Sequence, residues 1–154
     1  MLRAIAVHTR GHWPDEAALD GVTLAYLDRH RRSIRLVADS GTPFLLDLPR
    51  AQHLTDGDGL ELDNGRYIRV RAAAEPVIEV AADSPTDLLR IAWHIGNRHT
   101  PAEITADAIY IEEDHVLAQM VRGQGCSVIT VTRPFRPERG AYDHGHAHTP
   151  ASAT

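Results

Sequence analysis

Two stretches of the chain carry side chains whose types and spacing suit metal coordination. Residues 93–101 read Trp-His-Ile-Gly-Asn-Arg-His-Thr-Pro and hold His94 and His99; residues 143–148 read Asp-His-Gly-His-Ala-His, so His144, His146 and His148 alternate. Imidazole is the side chain best matched to nickel, copper and zinc. Ten of the 154 residues are His and only one is Cys, which favours nitrogen over thiolate ligation. One internal His followed by a cluster on a polar end suits binding and passing on a divalent ion better than transforming a substrate. The terminal histidines are interrupted by Gly and Ala and followed by Thr-Pro-Ala-Ser-Ala-Thr, unlike the unbroken run of an engineered tag.

His99 is the first candidate ligand, because it follows a stretch of helical spacing and can project from a fixed scaffold. Its competing role is a contact to backbone carbonyls at the helix end. One imidazole does not hold a divalent ion tightly, since stable sites need several ligands. His94 cannot complete the site: five residues turn a helix by roughly 500°, leaving the two side chains about 140° apart. Symmetry is the remaining route, as a two-fold dimer brings two copies of His99 together. His115 is the second candidate, with Glu113 as an oxygen donor in a mixed site weaker for nickel. Equally, Asp114 caps a helix and His115 merely occupies its first turn; both readings stand. His144, His146 and His148 can wrap an ion with Asp143, more weakly than a preorganised site because ordering the chain costs entropy.

Other residues read as supporting structure. Asn97 suits the left-handed conformation of a helix end, and Arg98 suits a salt bridge. His8, His12, His30 and His53 lack ligand spacing and are expected to be structural or solvated. Cys126 reads as a small core residue, and the acid-rich pieces 56–63 and 112–114 as solvated turns. No His-Glu-x-x-His, Gly-x-Ser-x-Gly or phosphate-binding glycine loop occurs.

The elements that must position these residues change character along the chain. Val22–Leu27, Ser33–Ala38 and Phe44–Leu48 are β-rich runs. Gly59–Leu62 and Tyr67–Val70 flank Asp63-Asn64-Gly65, whose Asn-Gly pair favours a type I′ hairpin turn. Residues 1–73 are therefore expected to form a small all-β domain, with the boundary at Ala72–Pro76, where Pro76 interrupts pairing. Val77–Val80 is a strand. Ser84-Pro85-Thr86-Asp87 opens a helix with Ser84 as N-cap, Leu88, Leu89, Ala92 and Ile95 form its buried face, and Gly96-Asn97 stops it. Glu103-Ile104 and Ala108–Ile111 are short strands. A second helix starts at Asp114 with Val116, Leu117, Met120 and Val121 inward, and Ser127–Thr132 is the last strand. The order β-α-β-β-α-β over residues 74–137 predicts a ferredoxin-like domain, giving an α+β chain overall. Residues 138–154 are too polar to pack and are expected to be a disordered His-bearing tail.

Gly96-Asn97-Arg98-His99 after a helix, Asp114-His115-Val116-Leu117 on a second helix, Pro134–Tyr142 after the last strand and the His-bearing tail occur in this order. In these features the chain resembles the UreE family, the urease accessory nickel metallochaperones, over nearly its whole length. It departs from the His-x-His arrangement frequent in that family, having Glu113-Asp114-His115 instead. The resemblance implies no enzyme but a homodimer with nickel shared between protomers, delivering Ni(II) for urease active-site maturation. The implied ligands are His99, His115, His144, His146 and His148, with Glu113 as a secondary donor. The implied partners are the urease accessory GTPase and the urease apoprotein maturation complex, with the β domain as docking module. Imidazole sites also accept Zn(II) and bind Cu(II) tightly in vitro. The alternatives are a general zinc or nickel buffer, a metal-responsive regulator, or a metallohydrolase joining His99, Glu113 and His115 in one pocket.

Composition narrows the setting. A hydrophobic fraction of 43% with 24% charged residues describes an ordinary globular chain. No stretch approaches the roughly 20 apolar residues of a membrane span, and Met1–His8 reads as a strand rather than a signal segment. A single Cys fits a reducing, cytoplasmic location. The net charge of -5 gives no reason to expect nucleic acid. All 16 basic residues are Arg, so Schiff-base and P-loop lysine chemistry are out of reach.

Overall fold

The computed structural model describes residues 1–139, which fall into two compact units, Met1–Ala74 and one beginning at Glu75. The first holds strands β1 (Leu2–His8), β2 (Ala18–Leu24), β3 (His30–Val37), β4 (Pro43–His53), β5 (Gly59–Leu62) and β6 (Tyr67–Ala72). They form one sheet in the order β2-β6-β5-β1-β4-β3. The β1–β4 and β2–β6 pairings are parallel, so strands distant in sequence are neighbours. Alternation on β4 turns Phe44, Leu46 and Leu48 into a core shared with Leu60, Leu62, Ile68 and Val70.

This unit is all-β as expected, with local differences. The run Val22–Leu27 ends as a strand at Leu24, and Tyr26–Asp28 is a single 3-10 turn. Strand β4 continues through Pro49, because pairing steps from Arg31↔Gln52 to Ser33↔Asp47 and leaves residues 48–51 outside the regular ladder, where a missing N–H costs nothing. The Asp63-Asn64-Gly65 loop is not a type I′ turn. Gly65 has φ 84 while Asn64 keeps a negative φ, and Gly65 N–H donates to the Leu62 carbonyl at 2.9 Å. Leu62 N–H in turn donates to the Arg66 carbonyl at 2.7 Å, closing a three-residue loop with glycine at its left-handed position. The acidic stretch beside it is structural rather than merely solvated. Asp58 is buried and accepts the backbone N–H groups of Arg10 (3.1 Å) and Thr55 (2.8 Å), and Asp56 accepts that of Ala72 (2.7 Å).

The second unit runs β7 (Ala74–Ala81), α1 (Pro85–Asn97), β8 (Ala102–Ile104), β9 (Ile109–Glu112), α2 (His115–Gly123) and β10 (Ser127–Pro134), the expected β-α-β-β-α-β order. Its sheet is ordered β10-β7-β9-β8, with β9 antiparallel to both β7 and β8. Pro76 lies inside β7 rather than before it, one residue short of the first β9 partner at Val77. Ser84 caps α1 as expected, its hydroxyl accepting the Asp87 N–H at 3.1 Å. Ile78, Val80, Ile91, Ile95, Ile109, Ile111, Leu117 and Val121 form the core, with Cys126 at its edge.

Two apolar residues expected inside are outside. On α1 the inward stripe is Leu88, Ile91, Ala92 and Ile95, a regular i, i+3, i+4, i+7 set, so Leu89 is 73% exposed with Trp93 beside it at 66%. On α2 the buried residues are Leu117, Ala118 and Val121, with Met120 partly covered, and Val116 is 60% exposed.

Candidate metal centre

Helix α1 includes Gly96 and Asn97 rather than stopping at them. Arg98 follows with φ −92 and ψ 2, its N–H donating to the Ile95 carbonyl at 3.1 Å. The left-handed residue is His99 itself, at φ 57, with its N–H donating to the Gly96 carbonyl at 3.0 Å. Asn97, which by propensity suits that conformation better, remains helical. Helices commonly end on one left-handed residue just past the cap, usually Gly. A non-glycine there carries a steric penalty of about 1–2 kcal/mol, and such strain gathers at functional sites. His99 is exposed. His94 is half-buried with its ring edge-on to Trp93, the centroids 5.2 Å apart.

At the start of α2, Asp114 is the cap, its carboxylate accepting the N–H groups of Val116 (2.8 Å) and Leu117 (3.0 Å). His115 is the first helical residue and is exposed. It nevertheless shares a cleft of about 230 Å³ with Glu113, Arg122 and Thr130. Adjacent Glu112 is half-buried, and burial followed by the charges of Glu75 and Asp114 raises its carboxyl above the ordinary value. Among the described residues no group of three or more His, Cys, Asp or Glu is placed to hold a metal ion. One chain therefore does not bring His99, Glu113 and His115 together, as the metallohydrolase reading requires.

The topology puts these residues at one end of the sheet. Ala102 of β8 pairs with Ile111 of β9, so His99, three residues before Ala102, and His115, four after Ile111, flank the same strand ends. The chain leaving β10 returns to this end: Glu138 N–H donates to the Ala102 carbonyl at 2.8 Å. Asp143, His144, His146 and His148 lie outside the described residues.

Three of the four histidines expected to be structural or solvated have side-chain or ring neighbours, and His12 is exposed. His8 pairs with Glu61 at 2.7 Å, and His30 lies across from His53, whose ring packs on Tyr26 at 4.8 Å. Sequence reasoning missed Glu103, a buried carboxylate held by Arg133 at 2.8 Å. It also missed the outward ridge of Leu89 and Trp93. A Leu and a Trp four apart, next to a second apolar stripe, were the signal for the ridge; a single Glu in a short strand offered none.

Both units match one family. Residues 2–73 match the N-terminal domain, and residues 75–153 the C-terminal domain, of "UreE urease accessory protein". The chain is 53% identical over 135 residues to the urease accessory protein UreE of Azorhizobium caulinodans, covering 88% of this chain and 64% of that relative. To the protein of that name from Rhodopseudomonas palustris strain HaA2 it is 49% identical, covering 95% of this chain and 67% of the relative. To that of Chelativorans sp. strain BNC1 it is 47% identical, covering 96% and 94%. The chain thus spans about two thirds of the length of two of these relatives and nearly all of the third. With both domain signatures matched, the chain belongs to the UreE family of urease accessory proteins.

Proposed function

We propose that this protein is a nickel chaperone that carries Ni(II) for urease active-site maturation and releases it by ligand exchange. The observation that carries this reading is His99: an exposed imidazole on a left-handed residue at a helix end, with too few ligands beside it among the described residues to close a site. Two copies related by a two-fold axis supply a pair of imidazoles for one ion. The exposed ridge of Leu89 and Trp93, on the helix that ends two residues before His99, offers apolar surface for that pairing. An open site with neutral imidazole ligands binds the ion yet lets a partner's ligands displace them one at a time.

His115 with Glu113 forms a secondary, weaker station, because a mixed nitrogen and oxygen pair is less selective for nickel than paired imidazoles. His144, His146 and His148 add donors from the C-terminal end. Zn(II) and Cu(II) compete for the same nitrogens in vitro. The first unit serves as the docking module for the accessory GTPase and the urease apoprotein, in the cytoplasm.

Equilibrium sedimentation with bound-metal analysis tests the shared site. One tight nickel ion per two chains is expected, lost in His99→Ala, whereas ending the chain at Tyr142 lowers total stoichiometry and leaves the tight ion in place. A tight ion in every monomer, or tight binding that survives His99→Ala, overturns the assignment.

A further inference from the structure

We propose that His30 and His53 form a two-imidazole site on the first unit for an exchangeable divalent ion of the copper, nickel and zinc group. It is separate from His99 and His115, which belong to the second unit, and does not depend on the reading of His99. The two histidines lie far apart in the sequence, but the pairing of β3 with β4 sets them directly opposite each other. Directly opposite residues share one face of a sheet.

The kind of pairing brings the side chains close. In an antiparallel ladder, pairs that exchange backbone hydrogen bonds alternate with pairs that do not, and side chains of the second kind lie nearer each other. Leu54 N–H donates to the Arg29 carbonyl at 2.6 Å, which makes Arg29 and Leu54 the bonded pair. His30 and His53, one step along each strand, are therefore the close pair, with Cβ atoms about 4.5–5.5 Å apart. Their ring centres are 6.3 Å apart and their planes 30° from parallel. Two imidazole nitrogens about 2.1 Å from one ion put their ring centres roughly 4.5–6.5 Å apart, according to the angle at the metal. The observed pair sits at the open end of that range. Closing it needs rotation about the last side-chain bond, which is soft in histidine. His30 is exposed and has room to turn.

The other ring is already held. His53 is half-buried, with its ring 4.8 Å from that of Tyr26, so less rotational freedom is left to lose when an ion binds. The neighbouring cations are engaged elsewhere. Strand alternation turns Arg31 to the opposite face, where it pairs with Asp28 at 3.2 Å. The Arg29 guanidinium lies over the Tyr26 ring at 5.6 Å and donates to the Leu24 carbonyl at 3.4 Å. Two protein nitrogens leave the remaining coordination positions to water, so the ion is held loosely and exchanges. Copper(II) is the tightest binder of the divalent series at such nitrogens, with nickel(II) and zinc(II) below it.

The test is a zinc(II) titration of the full chain at about pH 7.5, where imidazole is mostly neutral, followed through the ring C–H proton NMR signals of each histidine. The His30 and His53 signals should move together along one binding curve whose midpoint does not depend on protein concentration. His30→Ala and His53→Ala should each weaken the zinc response of the remaining ring by about tenfold or more, while the His99 signals titrate as in the parent. Rings that stay still or respond at different zinc concentrations overturn the proposal, as does a response that strengthens with protein concentration, which would mark bridging between chains. A remaining ring that binds as well alone overturns it too. The first two outcomes are read on the parent chain, so the test stands even where a variant fails to fold.

Discussion

His99 and Gly96 are joined by a 3.0 Å hydrogen bond from the His99 N–H to the Gly96 carbonyl, and the chain reverses through a positive φ at the histidine. Glycine is the residue such a position favours, and a side chain there is retained at a cost. His99→Gly and His99→Ala should therefore both lose the tight nickel site yet differ in stability. The glycine variant is expected to be the more stable by about 1 kcal/mol, read from urea denaturation of the metal-free proteins. An alanine variant as stable as the glycine variant would show that the backbone carries no strain.

Nickel affinity should fall as pH drops through about 6.5, because protons compete for the imidazole nitrogens. Carboxylate-dominated binding would persist to about pH 4–5. Calorimetric titrations between about pH 7.5 and 5.5 bracket the imidazole value by roughly a unit on either side; constant affinity over that interval contradicts imidazole ligation.

Gly59→Ala should destabilise the first unit. A methyl group there would lie 2.4 Å from the Trp13 ring, and that ring cannot easily retreat. It is stacked on Tyr67 at 5.4 Å, and its Nε1 donates to the Gly57 carbonyl at 3.0 Å. Overpacking of this kind costs about 1–3 kcal/mol. Chemical denaturation followed by Trp fluorescence measures it, with nickel stoichiometry expected to stay as in the parent chain.

Asp20 makes a pH-dependent contribution to stability. Its carboxylate accepts the Ser40 hydroxyl, and that bond, helped by the N–H groups of Gly21 and Ser40 and the charge of Arg71, holds its pKa below 3.8 against a smaller opposing effect of desolvation. Because the folded value is the lower one, the stabilisation is present above the ordinary carboxylate range and is lost as pH falls through the folded value. Ser40→Ala should accordingly be less stable than the parent at neutral pH, with the gap closing below pH 3.8. A gap that is constant or widens in acid would assign the loss to the turn rather than to the charge.

Much of the fold was legible because the signals are local. Ser84 and Asp114 cap the helices that follow them by bonding N–H groups two or three residues on, and such bonds depend on little beyond their own segment. The strands around Leu62 and Tyr67 follow from alternation and a glycine-bearing turn. His99 and His115 were legible as candidates because imidazole chemistry is intrinsic to the side chain.

Tertiary structure decided whatever required choosing among equivalent local patterns. Helix α1 has two stripes at helical spacing, Leu88-Ile91-Ala92-Ile95 and Leu89-Trp93; only the sheet it packs on selects the first and leaves the second to solvent. The left-handed residue fell to His99 rather than Asn97 because the preference of one residue for that conformation is small beside the packing that sets where α1 ends and β8 begins. Glu103 gave no local signal, since what makes it a buried anchor is Arg133, 30 residues further on and brought to it by the sheet. Residue chemistry and element type belong to the sequence because they are short-range; which face is covered, which carboxylate is buried and where the chain leaves the domain depend on contacts between distant segments, which exist only once the sheet has formed.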